Sequence, residues 1–103
     1  MTGADQTKAL VQAALGGSDQ AFSRLVEMNQ GALRAFLRRA CGDWGLADDL
    51  AQETFLLAWE RMDRFDLQAS FRAWLCGIGY RLCLAALRKD RRARARDRAW
   101  LET

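Results

Sequence analysis

The 103-residue chain contains no proline and no histidine. There is no proline to break a helix through its missing N–H, and the helix formers Ala, Leu and Arg dominate the chain. Without histidine, and with three cysteines that form no CxxC pair, there is no ligand set for zinc. Catalysis would have to rest on carboxylates or thiols, and no nucleophile is matched to a base among them. No enzyme, cofactor or metal is therefore expected. Cys76 and Cys83 lie on one helix face, about 10 Å apart along its axis, too far to bridge. With Cys41 they read as core-filling thiols rather than a disulfide framework. There is no charged-then-apolar leader pattern, and no apolar run approaches the roughly 18 residues of a membrane span. The expected compartment is the cytoplasm.

What is present is enough apolar material for a core. Half the residues are hydrophobic and 28% are charged, so at this length one soluble domain can close without staples. No strand-like alternation is sustained, and the expectation is an all-α fold, a compact bundle of about four helices. Net charge is only +3, but it is divided unevenly along the chain. Residues 43 to 66 hold seven acids and two arginines, −5, whereas residues 67 to 98 hold nine bases and two acids, +7. An acidic block followed by a basic block suggests two partners of opposite sign, the basic one pointing to nucleic acid or an acidic protein.

Taken in order, a first helix is expected from Asp5 or Thr7 to Leu15, stopped by Gly16 and Gly17. Ser18 or Asp19 caps the next, whose apolar face runs through Phe22, Leu25, Val26, Leu33, Phe36, Leu37 and Ala40. Asn29-Gln30-Gly31 predicts a kink or short break within it, and Cys41-Gly42-Asp43 its end. Arg34, Arg38 and Arg39 near that end suit the helix dipole. A turn at Asp43-Trp44-Gly45 leads into a third helix, about Leu46 to Met62. Asp63 to Ser70 reads as a loop, with Ser70 placed to cap a last helix from Phe71 to Arg92 or beyond. Up to Leu87 that helix is apolar nearly all round and belongs in the core. Arg81 interrupts it. At helical pitch Trp74, Arg81, Arg88 and Arg92 fall within about 40° of one another. From Arg88 to Arg98 there are seven bases; residues 94–103 are expected to be a solvated, fraying tail.

The third helix divides into two faces. Leu46, Leu50, Ala51, Thr54, Leu57 and Ala58 suit a core. Asp48, Asp49, Gln52, Glu53, Glu60 and Asp63 share the other arc, which contains no Lys or Arg and surrounds Leu56 and Trp59. A carboxylate rim around apolar anchors suits a docking surface. The alternative is that Trp59 turns inward and the acids are merely solvated.

These residues together resemble a known family. Ala47-Asp48-Asp49-Leu50-Ala51-Gln52-Glu53-Thr54-Phe55, Trp59, Arg64-Phe65-Asp66, Phe71-Arg72-Ala73-Trp74-Leu75, Ile78, Leu87-Arg88 and Arg91-Arg92 are similar to region 2 of bacterial sigma factors, the extracytoplasmic-function group in particular. Ser18-Asp19-Gln20-Ala21-Phe22 with Leu25 resembles the opening helix of that domain. The resemblance spans about residues 18 to 92. It implies that Asp48, Asp49, Gln52, Glu53, Leu56 and Trp59 dock on the clamp helices of the RNA polymerase largest subunit. It implies that the loop from Phe65 to Ser70, including Asp66, captures a base flipped from the non-template strand of the minus-ten element. Arg72, Trp74, Tyr80, Arg81, Arg88, Arg91 and Arg92 would hold the strand, with Trp74 structural as an open alternative.

Two departures bear on function. Where the family often reads Trp-Leu-x-x-Ile-Ala-x-Asn with an Asp four residues later, this chain has Trp74-Leu75-Cys76-Gly77-Ile78-Gly79-Tyr80-Arg81 and Ala85. Arg in place of Asn keeps donors, removes the acceptor and adds a charge. Gly77 and Gly79 loosen the helix by up to roughly 1 kcal/mol each relative to Ala. The domain is expected over residues 1–93, followed by residues 94–103 as a basic tail or the start of a linker to an absent region 4, which in the family reads the minus-thirty-five element. Two functions follow from the resemblance: a promoter-melting sigma domain, or a sigma-like decoy that binds an anti-sigma factor without opening promoters.

Overall fold

Local chemistry sets each helix boundary. Thr2 accepts from the Asp5 backbone N–H at 3.2 Å while the Asp5 carboxylate reaches back to Thr2, a capping box that starts the first helix two residues earlier than expected. Ser18 caps the second through the Ala21 N–H, and Gly42, at φ 69°, ends it in the left-handed conformation. Asp43 accepts from Leu46 N–H and caps the third, which therefore takes in Trp44 and Gly45, expected as a turn. Ser70 accepts from Ala73 N–H ahead of the last.

The computed structural model describes residues 2–102. They form α1 (Gly3–Leu15), α2 (Asp19–Cys41), α3 (Trp44–Glu60), one 3₁₀ turn (Met62–Arg64) and α4 (Phe71–Glu102), with no strand among them. The all-α bundle of four helices is as expected. α2 packs against the other three helices, and α3 against α4. One part of the core joins Val11, Leu25, Ala58, Phe71, Leu75 and Ile78; the other joins Leu33, Leu37, Ala47, Leu50, Ala51 and Cys83. Phe55 and Leu82 pack against both. Thr54 is fully buried, its hydroxyl donating to Leu50 O at 2.7 Å.

Two expectations are corrected. α2 runs unbroken through Asn29-Gln30-Gly31. The buried Asn29 amide donates back to Leu25 O at 2.7 Å, so the helix absorbs it. Gly31 is exposed, and its propensity cost of about 1 kcal/mol is outweighed by the apolar face on either side. Residues 94–102, expected as a tail, continue α4 as helix to Glu102. No Pro or Gly follows Gly79, the segment is rich in Ala and Arg, and Asp90 pairs with Arg94 one turn on at 3.1 Å. This half of α4 is solvated, as expected, and lengthens the molecule to 63 Å against 22 Å across.

Candidate docking and nucleic-acid interfaces

On α3 the buried side is Ala47, Leu50, Ala51, Thr54 and Ala58. The opposite side leaves Asp49, Gln52 and Glu53 in solvent with Leu56 at 67% exposure. Trp59 turns neither fully in nor out. It is 39% exposed and packs edge-on against Phe22 of α2, ring centroids 4.7 Å apart. Leu56 and Trp59 thus rim an apolar groove of about 490 Å³ between α2 and α3, walled by Phe22, Val26 and Phe55.

Asp48 differs from its neighbours. It pairs with Arg34 at 3.2 Å and Arg38 at 3.4 Å, both from α2, with its side chain still 40% exposed. Arg38 also lies 4.4 Å over the ring of Trp44, which is 68% exposed. Trp44, Arg34 and Arg38 were not expected at this face. The signal was available only as an i, i+4 arginine pair on α2, whose partner could not be known before α2 and α3 were packed.

The second region is the loop and α4. Phe65 is 9% exposed, with its ring 5.4 Å from Phe71 and 5.1 Å from Trp74; Phe71 and Trp74 are 5.7 Å apart. Phe65 anchors the loop by packing its ring against two others, and it also lines the cavity beside that loop. Trp74 is half-buried in the same cluster. Asp66 shapes the loop: its carboxylate accepts from Gln68 N–H at 2.9 Å and its carbonyl from Ala69 N–H. Asp66 and Ser70 remain exposed.

Arg72 is held on two acceptors, Nε donating to Asn29 Oδ1 and Nη2 to Met28 O, each at 3.0 Å. Beside it a cavity of about 480 Å³ is walled on one side by Leu67, Gln68, Ala69 and Ser70, and on the other by α1 through Asp5 and Lys8. The contribution of α1 carried no sequence signal. Tyr80 is 47% exposed, its ring 6.3 Å from Phe36. Arg81, Arg88, Arg91 and Arg92 are exposed and make no ion pair among the described residues. Arg81 therefore interrupts the apolar segment without being buried, at no desolvation cost.

The cysteines are free thiols, Cys83 within the core and Cys41 and Cys76 half-buried against it. Cys41 and Cys83 touch, sulfur to sulfur at 3.0 Å, across two helices. Burial, then the Cys83 thiol, pushes the Cys41 thiol up from 9.0 to about 12, and burial also raises Cys76. No helix is long and apolar enough to cross a membrane among the described residues.

A family model described as Sigma-70 region 2 matches residues 25–93. The RNA polymerase sigma factor NccH of Alcaligenes xylosoxydans xylosoxydans is 37% identical over 79 residues, 77% of this chain and 42% of that protein. The ECF RNA polymerase sigma factor SigW of Bacillus subtilis (strain 168) is 31% identical over 75 residues, 73% of this chain and 40% of that protein. The chain thus spans about two fifths of the length of these curated relatives. Among solved structures, the NMR structure of an engineered region 2 of sigmaE in complex with GTAAAA superposes with a TM-score of 0.77 at 28% identity, covering 84% of this chain and 90% of that one.

Proposed function

The chain belongs to the sigma-70 region 2 family, and on that premise we propose that it is the promoter-recognition and promoter-melting domain of an alternative sigma factor, of the extracytoplasmic-function group. Asp49, Gln52 and Glu53, with Leu56 and Trp59 as apolar anchors, form the face for the clamp helices of core RNA polymerase. Asp48, tied to Arg34 and Arg38, holds α2 and α3 in register beneath that face. The non-template strand of the minus-ten element lies along α4, where Arg81, Arg88, Arg91 and Arg92 supply phosphate contacts and a salt-sensitive affinity. A base extruded from the stack, at a cost of a few kcal/mol, enters the cavity between the loop and α1. Phe65, packed on Trp74, lines that cavity, and Tyr80, 47% exposed on another side of α4, offers an open aromatic for stacking.

The observation that carries this reading is the exposed, unpaired arginine stripe of α4 in a chain whose α3 presents acids around an exposed Leu and Trp. Each exposed face matches a partner of the opposite charge. The test is titration of a labelled minus-ten single strand against the wild type, Arg81→Ala and Arg81→Asn at two salt concentrations, with and without core polymerase. Arg81→Ala should weaken binding by about 1 to 3 kcal/mol and reduce the salt slope by nearly one phosphate contact. Arg81→Asn should sharpen base preference, since Asn both donates to and accepts from one base edge. Three indistinguishable curves, or no binding even with core polymerase, would favour the decoy that engages an anti-sigma factor alone.

A further inference from the structure

Asn29 is 4% exposed, and both ends of its amide are committed. Nδ2 donates to Leu25 O at 2.7 Å, and Oδ1 accepts from Arg72 Nε at 3.0 Å. Only this orientation of the amide is possible, because a carbonyl cannot donate and a guanidinium cannot accept. The Arg72 guanidinium is thereby fixed at two points, Nε on Asn29 and Nη2 on Met28 O. The two N–H groups of Nη1 and the second of Nη2 remain for the cavity that Arg72 lines. A free arginine would spread its head group over many rotamers and lose that entropy on meeting a ligand; this one has already lost it.

We propose that Asn29 is a positioning residue for the base pocket, fixing the Arg72 guanidinium so that its remaining donors meet acceptors on an extruded nucleobase. The proposal rests on the reading of the cavity as a base pocket. It differs from it in placing a determinant of base binding in the middle of α2, outside the loop and α4. The cavity wall opposite is α1, where Lys8 makes no ion pair among the described residues, so a base in the cavity meets donors from two helices.

The test uses the full chain and a set of minus-ten oligonucleotides, the intact strand and strands with an abasic site at each position in turn. In the wild type, one position should stand out, where removing the base costs about tenfold or more in affinity. Asn29→Leu, which keeps the branched side-chain skeleton but neither hydrogen bond, should shrink that cost to about twofold while binding of the strand abasic at that position stays near wild type. A merely structural role would weaken all oligonucleotides alike, and that result overturns the proposal. In an Arg72→Ala background, Asn29→Leu should have no further effect on the base contribution, and an additive loss would also overturn it. If Asn29→Leu does not fold, Asn29→Ala carries the same test, because it removes both hydrogen bonds without adding bulk and favours the helix. A wild type that binds every abasic strand as well as the intact one removes the base pocket itself, and the positioning role with it. A wild-type base preference that survives in Asn29→Leu removes the positioning role alone.

Discussion

Gly77 and Gly79 stand two residues apart on α4, have the same intrinsic propensity cost, and should respond differently to alanine. A Cβ at Gly77 meets nothing within 4 Å. Gly77→Ala should therefore collect the helix-propensity gain of about 1 kcal/mol. A Cβ at Gly79 would lie 3.1 Å from Leu37 Cδ2, 3.1 Å from Thr54 Oγ1 and 3.4 Å from Leu33 Cδ1. None of these neighbours has room to yield: all three are at most 1% exposed, and Thr54 is tied to Leu50 O. Overpacking of this kind costs about 1 to 3 kcal/mol. Set against the same propensity gain, Gly79→Ala should range from neutral to about 2 kcal/mol destabilising, and the two variants should differ by about 1 to 3 kcal/mol. For a domain of this size each kcal/mol moves Tm by about 4 to 8 °C. Thermal and urea unfolding of both variants beside the wild type measures the difference directly, and propensity cancels between them. Equal stabilisation in both would refute the close approach of α4 to α2 and α3 at Gly79, and with it the helix crossing that sets the two exposed faces.

Asp49→Lys combined with Glu53→Lys should abolish binding to core polymerase in a pull-down while shifting stability by less than about 0.5 kcal/mol, as exposed sites do; normal binding would remove the docking face. The Cys41 thiol, raised by burial and by Cys83, keeps its proton in the folded chain between pH 9.0 and about 12, where the unfolded chain loses it. Its contribution to stability is thus complete below pH 9.0 and declines as pH rises towards about 12, so the urea midpoint should fall with less slope in Cys41→Ala than in the wild type. Equal slopes would count against that burial.

Much of the fold was written locally. Ser18 and Gly42 bound α2 through a hydroxyl cap and a left-handed glycine, and both effects act within one turn, so they are visible in sequence. The acids of α3 and the arginines of α4 are likewise legible, since periodicity along one helix reports which residues share a face. The partners across helices are not. That Asp48 pairs with Arg34 and Arg38, that Phe65 turns inward onto Trp74, and that Asn29 holds Arg72 across 43 residues of sequence all depend on how the helices cross. Asn29 shows the difference most plainly. In the sequence it is a helix-weakening residue beside a glycine and predicts a break. In the tertiary structure its amide has an acceptor and a donor within reach, on its own helix and on α4, so the same polar group that would weaken an isolated helix is satisfied, buried and set against Arg72.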